Sequence, residues 1–103
     1  MRIWEGMNEQ IINAIENRKT MEFEYEGMIR IVEPHCYGLT KKCNEALRAY
    51  QIDGFSSSGK MGWKLFSLSK VSSIKILENN FNVREKDGYK NGDKGMSSIY
   101  KEV

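Results

Sequence analysis

The sequence predicts a mainly β fold in which one N-terminal helix precedes about five short strands that close, or nearly close, into a small barrel. Three observations carry this. A single amphipathic stretch at residues 8–18 is the one segment with helical spacing ahead of the strands. Five runs after it are short and extended, several of them alternating apolar and polar residues, and they are separated by Gly, Ser or Pro signals. In a chain of 103 residues, closure also removes strand edges that an open sheet would leave exposed.

The helix opens at Asn8, a residue type that caps free N–H groups. It places Ile11, Ile12 and Ile15 on one face with Met7 one turn earlier, and ends in Arg18 and Lys19, whose charges suit a helix C-terminus. In "TMEFEYEG", Met21, Phe23 and Tyr25 alternate with Glu22, Glu24 and Glu26, as in a strand with one acidic, solvated face. Gly27 then permits a tight turn into "MIRIVEP", a second strand that the chain's only Pro, Pro34, is expected to end. "EALRAYQID" points Leu47, Ala49 and Gln51 one way and Arg48, Tyr50 and Ile52 the other. "GFSSSGKMG" reads as a flexible hairpin loop, "WKLFSL" as the fourth strand, and "VSSIKILE" as the fifth after a turn at Ser69. The last 25 or so residues read as loop until "MSSIYKEV", where Ile99 and Tyr100 are expected to dock a short helix. The expected core is Ile11, Ile15, Phe23, Tyr25, Leu47, Ala49, Phe66, Leu68, Ile74 and Ile76. The organisation is one domain over 1–103: an arm at 1–7, helix plus barrel at 8–78, and a C-terminal extension at 79–103.

Composition excludes several classes. No stretch approaches the roughly 20 apolar residues of a membrane span, and no basic-plus-apolar leader is present, so a soluble cytoplasmic protein is expected. Cys36 and Cys43 are expected to stay reduced there, and together with the lone His35 they lack the paired C-x2-C spacing of a zinc site. No metal and no cofactor are expected. There is no acid pair at a defined spacing and no nucleophile in register with a base, so no catalytic residue is assigned and the chain is read as a non-enzyme. Charge is uneven. Residues 1–33 carry four Lys/Arg against seven Asp/Glu, whereas residues 34–78 carry seven against three. The basic middle fits either a solvated face or an anion-binding patch.

The run "IINAIENRKTMEFEYEGMIRIVEP" resembles the opening of the WYL domain, a helix followed by an extended segment with Tyr25, a Gly27 turn and an Arg-x-x-x-Pro strand at Arg30 and Pro34. "KLFSLSKV" is similar to the family's second signature, Arg-x-Phe-x-Leu-x-Arg-Ile/Val, with Lys64 and Lys70 at the arginine positions and Phe66, Leu68 and Val71 matching. Of the Trp-Tyr-Leu trio only Leu47 is present, after Glu45 and Ala46. The resemblance covers about residues 10–78. It implies a five-stranded Sm-like, SH3-like barrel acting as a regulatory ligand-binding module, since several family members bind single-stranded nucleic acid or sense nucleotide-like molecules. Here the module would be free-standing, without the usual helix-turn-helix, of the kind that phage and bacterial genomes carry.

Seven residues are candidates for binding an anionic ligand, a nucleotide or single-stranded nucleic acid. Arg30 and Arg48 offer bidentate phosphate contacts, or else pair with Glu33 or Glu45 at the surface. Arg30 is expected to point outward, His35 to lie just past the strand end, and Arg48 and Tyr50 to share a face. Tyr50 and Trp63 offer rings for a base, and Lys64 and Lys70 extend the charge. The alternative is a homo-oligomeric interaction factor, a homodimer through "MRIWEGM" with Ile3 and Trp4 as anchors, acting on a host complex.

Overall fold

The computed structural model describes residues 8–103, so the expected arm at 1–7, with Ile3, Trp4 and Met7, lies outside the described residues. Helix α1 (Glu9–Glu16) begins where the Asn8 side chain accepts a hydrogen bond from the Ile11 N–H at 3.1 Å, and it buries Ile11, Ala14 and Ile15. It is shorter than expected because Arg18 adopts a left-handed φ of 52° and turns the chain into β1 (Lys19–Tyr25). Glu26 and Gly27, with φ of 53° and 82°, form the two-residue turn into β2 (Met28–Leu39). Then follow β3 (Glu45–Gly54), β4 (Gly62–Ser67), a 3-10 turn (Leu68–Lys70) and β5 (Val71–Asn80).

The strands are antiparallel in the order β4-β3-β2-β1-β5, with a further strand, β6 (Ser98–Glu102), on β2. Among the described residues no ladder joins β4 to β5, so hydrogen bonds do not close the sheet. The core fills its concave side: Ile11, Ile15, Met21, Phe23, Val32, Tyr37, Leu47, Ala49 and Phe66 are buried together. Tyr25, Leu68, Ile74 and Ile76, expected inside, pack against this core but are only partly covered. Phe23, Tyr25 and Phe66 meet edge to face, with centroids 5.0 Å apart for Phe23–Phe66 and Tyr25–Phe66.

Two expectations about chain path are corrected. Pro34 does not end β2. The strand pairs with β1 as far as Val32 and with β6 from Cys36, and its β3 register shifts between Pro34 and Cys36, so the missing donor falls where ladders are already interrupted. His35 is therefore inside the strand. The C-terminal residues form β6 rather than a helix, because Gly38 lets them lie flat against β2: a Cβ on Gly38 would meet the Ser98 carbonyl oxygen at 2.1 Å. Cys36 is buried and Cys43 exposed, and both are free thiols. Burial pushes the Cys36 thiol pKa up to about 12, which makes it an unreactive core residue.

Candidate functional site

The register of the first hairpin decides where Arg30 goes. It pairs with Phe23, and paired residues share a sheet face, so the arginine points into the concave side and not outward as expected. It is 6 % exposed. Its guanidinium carbon lies 5.2 Å from the Tyr25 ring centre, 5.5 Å from Phe55 and 5.8 Å from Phe66. Nη1 donates to Gln51 Oε1 at 3.4 Å, and Gln51 Nε2 donates to the carbonyls of Asp53 at 3.0 Å and Phe55 at 2.8 Å. Gly54, with φ of 90°, allows this closure, since a Cβ there would meet the Ile29 carbonyl oxygen at 2.4 Å. Arg30 Nε has no partner and, among the described residues, no carboxylate pairs with the guanidinium.

Lys64 projects from β4 into the same end of the fold. It pairs across the ladder with the buried Ala49, and its Nζ donates to Ser56 Oγ at 2.9 Å, next to the Phe55 that covers Arg30. It too has no carboxylate partner among the described residues. The site thus combines two cations that have no carboxylate partner among the described residues, a fixed carboxamide, serine hydroxyls and three aromatic rings. Gln51 was readable as a polar residue on the apolar face of its strand, in phase with Leu47 and Ala49. Its role was not, because that depends on Arg30 arriving from the neighbouring strand.

Four of the other candidates, His35, Arg48, Tyr50 and Trp63, occupy the opposite face of the sheet, under the segment that follows β5. Arg48 is salt-bridged to Asp93, Nε to Oδ2 at 2.7 Å, rather than to Glu33 or Glu45. Burial pushes the Asp93 carboxyl up, but the Arg48 and Gly95 hydrogen bonds outweigh it and leave its pKa below the ordinary value. Tyr50 shares that face with Arg48, as expected, and is covered by the guanidinium of Arg84 at 3.8 Å. Arg84 in turn grips Glu33 through Nε at 2.6 Å and Nη2 at 3.3 Å. Hydrogen bonding to Glu33 raises the Arg84 pKa, so the charge is permanent.

His35 is fully buried between Trp63, Phe81 and Tyr89, with ring centres 4.9–5.1 Å away. Nε2 faces the Arg84 N–H at 3.1 Å, and Nδ1 faces the Glu33 carbonyl at 2.9 Å. The geometry is that of a neutral ring that donates from Nδ1 and accepts at Nε2, and burial lowers its pKa. Both nitrogens are already engaged. Trp63 donates its indole N–H to the Asp87 carbonyl at 2.8 Å and lies roughly parallel to Tyr89. Lys70 stands apart, in the 3-10 turn, 3.6 Å from Glu26. The seven candidates therefore divide into Arg30 with Lys64, the outer group of His35, Arg48, Tyr50 and Trp63, and Lys70 by itself.

Among the described residues no three His, Cys, Asp or Glu side chains are grouped to hold a metal, and no helix is long and apolar enough to cross a membrane. Comparison with protein families, with curated proteins and with solved structures finds no match.

Proposed function

We propose that this chain is a non-enzymatic, ligand-binding regulatory module whose anionic ligand, a nucleotide or a single-stranded nucleic acid, seats between Arg30 and Lys64. The observation that carries the reading is Arg30 itself: an arginine 6 % exposed, with Nε unsatisfied and, among the described residues, no carboxylate partner. Burying an uncompensated cation costs several kcal/mol, about as much as a bound anion would offset. Phe55, 44 % exposed beside the guanidinium, adds a ring suited to a base.

The same residues support kinship with the WYL domain and an Sm-like, SH3-like barrel. Tyr25 and Arg30 of the first signature and Phe66 of the second are far apart in sequence, yet the Arg30 guanidinium covers both rings. The strand order β4-β3-β2-β1-β5, with a 3-10 turn between β4 and β5 and a helix ahead of β1, supports the barrel reading. Fluorescence anisotropy of a labelled single-stranded oligonucleotide, at low and moderate salt, tests the function. Affinity is expected to fall steeply with salt and to weaken in Lys64→Ala. Absence of binding by oligonucleotide, mononucleotides and inorganic phosphate alike would sink it.

A second reading has its own support. Met28, Ile29, Ile52, Phe55 and Met61 are each 38–51 % exposed and lie where β2, β3 and β4 reach their turns. Such an apolar surface suits a homo-oligomer or a protein partner. Light scattering decides: a mass that stays monomeric at high concentration and does not respond to Ile29→Lys counts against it.

A further inference from the structure

The segment after β5, outside the stretch that resembles a known family, builds a cavity of its own against the outer face of the sheet. It has a volume of about 340 Å3, at the small end of the ~300–1,000 Å3 range of small-ligand sites. One wall is aromatic. Trp63 and Tyr89 lie 5.7 Å apart with their planes 29° from parallel. Trp63 is fixed by its bond to the Asp87 carbonyl, and the Tyr89 hydroxyl points to the His35 carbonyl at 3.4 Å.

The loop "GYKNGDKG", which contributes Tyr89 to that wall, supplies most of the remaining lining, with Lys90 and Lys94 as its positive side chains. Lys90 and Lys94 are exposed and, among the described residues, neither has a carboxylate partner. Asp93, the one acid lining the cavity, is already neutralised by Arg48 at 2.7 Å. The loop is also held in shape. Tyr89 N–H bonds to the Arg84 carbonyl, Gly92 N–H to Glu102 Oε2 at 3.0 Å, Gly95 N–H to Asp93 Oδ1 at 2.8 Å, and Met96 is buried beneath it. A tethered loop gives a ligand a site that needs little ordering on binding.

We propose that this cavity is a second binding site, for a planar ring that carries a phosphate: a nucleoside monophosphate with its base against Trp63 and Tyr89 and its phosphate toward Lys90 and Lys94. Aromatic walls suit any base through its π-face, and lysine ammonium groups are point charges suited to phosphate. Arg48 acts as a positioning residue, tying the loop to β3 through Asp93. The site uses none of Arg30, Gln51 or Lys64, so it stands or falls separately from the function proposed above.

The test is tryptophan fluorescence of the full chain carrying Trp4→Phe, so that Trp63 is the emitting indole. It is titrated at low salt with AMP, GMP, CMP and UMP, and with adenosine and inorganic phosphate as controls. The Trp63 indole N–H resonance, followed by NMR in the unaltered chain, gives the same reading without the Trp4 substitution. At least one monophosphate is expected to give a saturable change, with adenosine and phosphate weaker. The double variant Lys90→Ala/Lys94→Ala, at exposed sites, is expected to unfold thermally as the unaltered chain does and to weaken binding about tenfold or more, and Lys75→Ala, an exposed lysine of β5 outside both sites, to leave it unchanged. The proposal is overturned if no monophosphate binds up to millimolar concentration, if adenosine binds as tightly as AMP, if the double lysine variant binds normally, or if Lys75→Ala weakens binding as much as the double variant does.

Discussion

Replacing Arg30 with Met separates a structural arginine from a ligand-binding one. Methionine keeps an unbranched stem in the box of Tyr25, Phe55 and Phe66 but removes the charge and the unsatisfied Nε. The losses are a long hydrogen bond to Gln51 at 3.4 Å, worth at most about 1 kcal/mol, and ring contacts near the outer limit of cation–π attraction, about 1 kcal/mol in all. Against them stands the desolvation of a buried donor without a partner, about 1–3 kcal/mol, together with that of the uncompensated charge. The expected net change is a gain of about 1 kcal/mol, read as a rise of about 4–8 °C in thermal midpoint for a domain of this size. The assay is reversible thermal unfolding in chloride buffer, repeated with phosphate at matched ionic strength. Phosphate at 100 times its Kd adds about 2.7 kcal/mol to the unaltered chain by mass action, and is expected to add nothing to Arg30→Met. If Arg30→Met is instead destabilised by about 2 kcal/mol or more in chloride, the guanidinium is a strut of the fold and the anion-site reasoning fails.

Glu33→Gln takes from Arg84 the more buried of its two carboxylate partners and leaves it Asp87 at 3.1 Å, and urea unfolding is expected to register a loss of about 1–3 kcal/mol. Arg48→Ala frees Asp93 and its loop, at an expected cost of about 1–2 kcal/mol, and limited proteolysis is expected to cut first within residues 88–95. His35 has a folded pKa below its unfolded value of about 6.5, so the unfolded chain takes up the proton first: stability is full above that pH and falls as the pH drops toward the folded value. Thermal midpoints between pH 7.5 and 5.5 are expected to fall in the unaltered chain and to change less in His35→Phe. Gly38→Ala drives a Cβ into the Ser98 carbonyl oxygen, and is expected to release β6 and lower the thermal midpoint, with near-ultraviolet circular dichroism reporting the loosened Tyr37–Tyr100 contact.

Helix α1 and the first hairpin were legible because their signals are local: isoleucines at helical spacing after an N-cap, and a glycine between two alternating runs. The phase of β3 was legible for the same reason. Arg30 was misread because "MIRIVEP" obeys the right period in the wrong phase. Ile29 and Ile31 look like core residues and Arg30 like surface, yet the register with Phe23 turns them round and leaves Ile29 51 % exposed. A pattern of apolar and polar residues fixes a strand's period, and only its neighbour fixes which face is inside. The stretch between β5 and β6 has no readable pattern, since it is held by single contacts to distant residues: Arg84 to Glu33 and His35, Asp87 to Trp63, Asp93 to Arg48. Such contacts leave no periodicity behind.

The change of partners along β2 has a kinetic consequence. One edge of β2 pairs with β3 along most of its length, but on the other edge the first half is zipped to β1 by a two-residue turn, whereas the second half waits for β6, which arrives from about 60 residues further along the chain. Loop closure over that distance comes late, because its entropy cost precedes any reward from contacts. The C-terminal segment is therefore expected to be the last to join and the first to leave. In native-state hydrogen exchange, the amides of Ser97 and Val103, bonded to the Leu39 and His35 carbonyls, are expected to exchange through a partial opening well below the global free energy, while those between β1 and β2 wait for complete unfolding.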